Sequence, residues 1–269
     1  MTFAGKPRAK RSLGQNFLVD PNFQRKIVEA LGAGPEDEVL EVGPGRGALT
    51  RHLAGNVSRL VLVELDDALA AALQEAYGFR EDVRVVHGDI LRVDLGAHVR
   101  DAARLRVVGN IPYNITTPIL FRLLERPRPR EIVLLVQEEV ADRIVAAPST
   151  AGYGALAVGI QSVATAERLF RVGRNAFRPV PRVDSALVRV RPLRPEPLDE
   201  RQEARLRMLV RAVFQWRRKQ LGKILRDHPD LRVPPGPAAE AAERAGAGLQ
   251  DRPERLSPQQ FITLSAELP

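Results

Sequence analysis

Runs of apolar residues alternate with helical patterns over the first two thirds of the chain. Val39-Leu40-Glu41-Val42 is a short strand that ends in Gly43. A helix start follows over 48–53, then a β-branched-rich strand over 59–64. Asp66 is placed to cap a helix over 68–77. Further strands are predicted at 83–86, 105–108 and 132–136, with helices at 117–124 and 139–146. Strands of nearly continuous apolar character, separated by helices, predict a parallel sheet covered on both faces. After a helix at 155–162, the segments 164–172 and 185–190 show period-2 character and can pair antiparallel.

A proline-punctuated linker covers 191–197. Beyond it, Leu206, Leu209, Val210, Val213 and Phe214 fall at helical spacing. The last helix opens at Ser257-Pro258-Gln259-Gln260, where Ser257 and Gln260 can form a capping box. The expected architecture is an α/β, Rossmann-like doubly wound sheet over 1–193, mostly parallel with an antiparallel last strand. A small all-helical domain over 194–269 follows it.

Composition narrows the chemistry. The chain has no cysteine, and its four histidines are scattered, which excludes thiolate catalysis, disulfides and cysteine-based metal sites. No metal site is expected. The first residues lack the apolar run of a secretory signal, and no stretch is apolar enough to span a membrane, so a cytoplasmic protein is expected. The net charge of +8 is unevenly spread. Residues 1–20 hold Lys6, Arg8, Lys10 and Arg11 against Asp20, and residues 171–226 hold sixteen basic against five acidic residues. Base-composition bias explains why only five of the 41 basic residues are Lys, but not why charge gathers in two segments. A polyanion is the natural partner of such a surface. Arg211, Arg217, Arg218, Lys219 and Lys223 are the candidate phosphate contacts, read as one face of a basic helical segment. Trp216 reads as packing.

Polar residues stand at successive strand ends, where a doubly wound sheet binds ligands. The loop from Gly43 through Gly45 to Gly47 has G-x-G-x-G spacing, which fits neither a pyrophosphate dinucleotide loop nor a P-loop. Glu64 ends the second strand and can accept from both hydroxyls of a ribose. Asp89, before Ile90, ends the third and can accept from an adenine amine. Together they imply an adenosine without phosphates, and S-adenosylmethionine fits. The fourth strand runs into Asn110-Ile111-Pro112-Tyr113. An exocyclic adenine nitrogen is a poor nucleophile because its lone pair is delocalised. Acceptors for its hydrogens, the Asn110 side-chain oxygen and the Ile111 carbonyl, let it turn pyramidal. Pro112 fixes the local φ, and Tyr113 can stack on the purine.

These motifs together resemble the small-subunit ribosomal RNA adenine dimethyltransferases. The likeness covers essentially the whole chain. It includes Ser12 to Leu18, Glu41 to Gly47, Glu64 to Asp66, Gly88 to Leu91, Asn110 to Tyr113, Gln137 to Arg143, Tyr153-Gly154 and Phe177 to Ala186. The resemblance implies a class I methyltransferase sheet. It implies that Asn16 and Leu18 close over S-adenosylmethionine, that Gly43, Glu64, Asp89 and Asn110 line its pocket, and that Phe177 holds a flipped adenine against Tyr113. It further implies a monomer acting on two adjacent adenosines near the 3′ end of small-subunit RNA, within an immature 30S subunit. Two alternatives remain: a resistance-type methyltransferase of large-subunit RNA, and a non-catalytic RNA-binding assembly or transcription factor on the same fold. A DNA adenine methyltransferase is disfavoured, because no separate sequence-reading domain is evident.

Overall fold

The computed structural model describes Lys10 and residues 14–269. The basic residues Lys6, Arg8 and Arg11, and the motif residues Ser12 and Leu13, lie outside the described residues. The chain forms two compact units. The first comprises residues up to Ala141 together with Glu167–Pro192, and the second comprises Asp142–Ala166 with Leu193–Pro269. One division between the units, at Pro192 and Leu193, falls inside the proline-punctuated segment 191–197. Residues 142–166 nevertheless belong to the second unit, although the sequence reading assigned them to the first.

The first unit is built on a seven-stranded sheet. Its strands are β2 (Glu38–Val42), β3 (Arg59–Glu64), β4 (Val83–His87), β5 (Arg106–Asn110), β6 (Glu131–Gln137), β7 (Ala164–Val172) and β9 (Ser185–Pro192), in the order β4-β3-β2-β5-β6-β9-β7. The pairs β2–β3, β3–β4, β2–β5 and β5–β6 are parallel. β6 and β9 run antiparallel. β2 and β6 are almost wholly buried, which explains the unbroken apolar run Ile132–Val136 in β6 and makes the buried Glu38 and Glu41 of β2 exceptional. A separate two-residue pair joins β1 (Phe17–Leu18) to β8 (Phe177–Arg178), with Leu18 opposite Phe177.

Helices cover the sheet. α1 (Pro21–Leu31) is capped by Asp20, whose side chain accepts from the amides of Asn22 and Phe23. It buries Ile27 and Leu31 completely. The short α2 (Thr50–Leu53) and α3 (Asp67–Tyr77) add Leu53 and Leu73 to the same core as Val39, Leu60, Leu62, Val108 and Val133. Asp66 caps α3 as its sequence position predicts, accepting from Ala68 and Leu69; such a cap contributes about 1 kcal/mol. α4 (Thr116–Leu123) follows the Asn110–Tyr113 turn, and α5 (Glu138–Ile144) follows β6.

The second unit is helical, with α6 (Ala155–Gln161), α7 (Glu200–Gln215), α8 (Leu221–Asp227), α9 (Pro235–Arg244) and α10 (Pro258–Glu267). Ser257 and Gln260 form the expected capping box. Tyr153 is buried and donates to the Leu256 carbonyl at 2.7 Å, while its ring meets Phe214 edge-on. The Pro/Ala-rich tract near 235–248 folds as α9, burying Ala238, Ala241 and Ala242. Small side chains let a helix approach its neighbours closely, and proline suits its first turn.

The basic segment is not one helix. α7 stops at Gln215, and the Lys219 amide bonds back to the Trp216 carbonyl at 2.7 Å. The amides of Leu221 and Gly222 pair with the carbonyls of Asp251 and Leu249, which restarts the chain in a new direction. Arg217, Arg218 and Lys219 thus stand on the turn between two helices.

Candidate active site

Strand register puts the chemistry on one face of the sheet. Glu41 lies opposite Leu62 on β3 and Val108 on β5, so Glu41, Glu64 and Asn110 share a face. The strand order reverses between β2 and β5, and a crevice opens beyond their carboxyl ends. A cavity of about 260 Å³ occupies it. Its lining includes Asn16, Leu18, Gly43, Gly45, Glu64, Asp89, Ile90, Asn110, Ile111, Pro112 and Tyr113. These eleven sequence-predicted residues come from five separate stretches of chain, and the fold brings them to one place.

Each is held by identifiable contacts. The two carboxylate oxygens of Glu64 accept from the backbone amides of Gly45 and Asp66, each at 2.9 Å. Burial pushes the Glu64 carboxyl above its ordinary pKa, and these backbone bonds oppose the shift. Gly45 has φ +56°, and a Cβ there would sit 3.1 Å from the Phe17 ring. A glycine is needed on both counts. Asp89 accepts from the Leu91 amide at 3.0 Å. Gly109 lies so close to β2 that a Cβ would come within 2.6 Å of the Val42 carbonyl, which lets Asn110 emerge beside Gly43.

The segment from Gly14 to Leu18 borders the cavity and touches two of its walls. A Cβ on Gly14 would lie 3.2 Å from Asn114, and the Phe17 ring packs against Gly45 and beneath the Arg46 guanidinium, 4.2 Å away. The Asn110 side chain donates to the Asn16 carbonyl at 2.8 Å. Its Oδ1 takes no hydrogen bond from any described residue and is left as an acceptor at the cavity.

Tyr113 also lines the cavity, and its hydroxyl meets the Ser185 hydroxyl at 2.7 Å. Burial pushes the Tyr113 hydroxyl above its ordinary pKa, so it stays neutral near pH 7. Phe177 is placed differently from the expectation. It is fully buried, packs in the apolar core with Leu18 and Ala176, and does not line the cavity. β8 pairs edge to edge with β1, and the Phe177 side chain joins the core that also holds Leu18, Val172, Ala176 and Leu187.

Two residues near the site escaped assignment from sequence. Ser185 follows Asp184 in a motif read as a whole, and only the tertiary pairing shows its bond to Tyr113. Glu41 is a carboxyl 2% exposed, bonded to the Thr50 hydroxyl at 2.7 Å, with its pKa pushed by burial to about 7. An acid in the middle of the apolar run Val39–Val42 was the available signal. Among the described residues no group of acids and histidines is arranged to hold a metal ion, and no helix is long and apolar enough to cross a membrane.

The five basic candidates are all exposed. Arg211 is on α7, Lys223 is on α8, and the other three are on the turn between them. Lys219 Nζ lies 3.6 Å from the Trp216 ring centroid, and Trp216 packs edge-on against His228, consistent with a packing role. Arg217 has a long 3.8 Å ion pair to Glu254.

The sequence profile of the family described as ribosomal RNA adenine dimethylase matches residues 6–263. The chain belongs to that family. It is 46% identical over 219 residues to a protein named ribosomal RNA small subunit methyltransferase A from Chlorobium luteolum, covering 81% of this chain and 78% of that one. A solved dimethyladenosine transferase from Plasmodium falciparum shares the fold, with a TM-score of 0.79, 24% identity and coverage of 92% and 95%. The 23S rRNA methyltransferase ErmE is similar as well, with a TM-score of 0.71, 29% identity and coverage of 94% and 99%. The chain is thus an enzyme of the class I methyltransferase fold, as the sequence reading expected.

Proposed function

We propose that the protein methylates the exocyclic N6 of two adjacent adenosines near the 3′ end of small-subunit ribosomal RNA, giving N6,N6-dimethyladenosine. The methyl donor is S-adenosylmethionine, which supplies a methyl group already activated on a sulfonium. The lining suits that donor. It carries the acids Glu41, Glu64 and Asp89 with Arg46 as its one base among the described residues, a balance for a cationic nucleoside rather than a polyphosphate. Glu64 would hold the ribose, Asp89 the adenine amine, and Ile90 would pack on the adenine ring.

The observation that carries the reading is the orientation of Asn110. With its N–H committed to Asn16, its Oδ1 is free to accept a hydrogen from the target amine. The Ile111 carbonyl accepts the second hydrogen. Held this way, the nitrogen lone pair would localise toward the methyl carbon; as the C–N bond formed the C–S bond would break, the neutral thioether would be the leaving group, and the ammonium proton would pass to solvent. No strong base is required. The rate comes from alignment and from fixed acceptor dipoles. Tyr113, with its hydroxyl anchored on Ser185, offers one stacking face to an extruded base. Phe177, buried in the apolar core, is not the second face in this arrangement.

The first compact unit carries cofactor and base, and the exposed cations of the second contact RNA phosphates. An immature small subunit in the cytoplasm is the substrate, and the enzyme acts as a monomer. The higher identity to the small-subunit relative supports this choice over a large-subunit substrate. Incubating the protein and labelled cofactor with 30S and 50S particles separately, followed by mass spectrometry of the RNA, tests it. Dimethyladenosine in 30S material is expected; label in 50S alone rejects the proposal.

A further inference from the structure

Glu41 has no part in the ribose or adenine contacts assigned above, yet it lines the same cavity. It lies between Leu62 and Val108 in the sheet, on the face that also carries Val39, Glu64 and Asn110. It is 2% exposed and, among the described residues, has no ion-pair partner. The polar and titratable groups facing it are few. Thr50, on α2, donates its hydroxyl at 2.7 Å. Glu64, on β3, repels its negative charge, and Tyr77 faces it from α3. Both oxygens of Glu64 already hold backbone amides, so Glu64 is the better fixed of the two acids.

We propose that Glu41 discriminates the cationic cofactor from its uncharged-sulfur product by exchanging a proton with solvent. This rests on the cofactor reading above. The donor carries a positive sulfur, and the thioether left after transfer does not; their amino-acid and adenosine groups are alike. When a positive sulfur enters the cavity, Glu41 releases its proton and the carboxylate pairs electrostatically with the new charge. After the methyl has gone, Glu41 regains a proton from solvent, and that attraction disappears. The burial that sets the Glu41 pKa at about 7 places this exchange near neutrality. At an effective dielectric of about 20, even a separation of about 10 Å between unit charges is worth roughly tenfold in affinity.

Calorimetric titration of the whole protein with S-adenosylmethionine and with S-adenosylhomocysteine, from pH 6 to 8 in buffers of different ionisation enthalpy, tests it. The preference for cofactor over product should grow about tenfold across this range. At pH 7, cofactor binding should release about half a proton more in the wild type than in Glu41→Gln. The ligand's own ammonium titrates near about 8 and contributes equally to both proteins, so their difference isolates Glu41. Thr50→Val removes the bond that lowers the Glu41 pKa, and should move the midpoint upward. A preference that is the same at every pH in the wild type, with both ligands bound, overturns the inference and leaves the cofactor reading standing. Failure of both ligands to bind overturns that reading and this inference with it.

Discussion

Asn110 donates its side-chain N–H to the backbone carbonyl of Asn16, 94 residues earlier in the chain, at 2.8 Å. The bond decides which end of the amide faces the cavity. An amide turned the other way would present two donors to an amine that itself needs acceptors. The Gly14–Leu18 segment, which borders the cavity, thereby fixes the orientation of the Asn110 amide.

Asn110→Ala should therefore lower kcat about 10²- to 10³-fold, the usual effect of deleting one preorganised polar group. Cofactor affinity should change far less. Steady-state kinetics on 30S particles alongside a binding titration separate the two, and unchanged turnover would show that the acceptor role is misassigned.

Ser185→Ala leaves the Tyr113 hydroxyl without its 2.7 Å partner. A hydrogen bond of this kind is worth roughly 1 kcal/mol. We expect kcat/KM for RNA to fall by about fivefold, with cofactor affinity unaltered. Tyr113→Phe should produce a similar loss, and the double variant should be no worse than either single one. Fully additive losses would show that the two hydroxyls act independently.

Glu41 also makes stability depend on pH. Its folded-state pKa of about 7 lies above the unfolded carboxylate value, so the folded state retains a proton that the unfolded chain gives up. This contribution is fully present below about pH 4.3, is lost progressively as pH rises to about 7, and stays lost above that. Its size is on the order of a few kcal/mol. Glu41→Gln, neutral at every pH, should melt at a higher temperature than wild type at pH 8 and at a similar one at pH 4.5. Parallel melting curves across that range would exclude an ionising Glu41.

The turn between α7 and α8 predicts a salt signature. Replacing Arg218 or Lys219 with Gln should weaken RNA binding evenly across sequences and reduce the slope of log affinity against log salt by about 0.7–0.9 per residue. S-adenosylmethionine binding should be untouched. Filter binding at several salt concentrations reads this directly, and an unchanged slope would place the RNA elsewhere on the surface.

Much of this protein is legible locally. Apolar runs mark the buried strands because a parallel sheet is covered on both faces. The acids at strand ends stand out because they recur, strand after strand, at the edge where a doubly wound sheet binds ligands. Asp66 and the Ser257–Gln260 pair announce their caps because capping involves neighbours three residues apart. Other features needed the fold. Two-residue strands such as β1 and β8 carry no periodicity, so their pairing, and the burial of Phe177 in the core, could not be read from the chain. The break between α7 and α8 is set by backbone bonds to Leu249 and Asp251, more than 25 residues away. The sequence alone determined which side chains could carry the chemistry, since residue type and strand position are local properties. Only the tertiary structure decided how Asn110 is turned and whether Glu41 holds a proton, because both depend on groups that folding brings from distant parts of the chain.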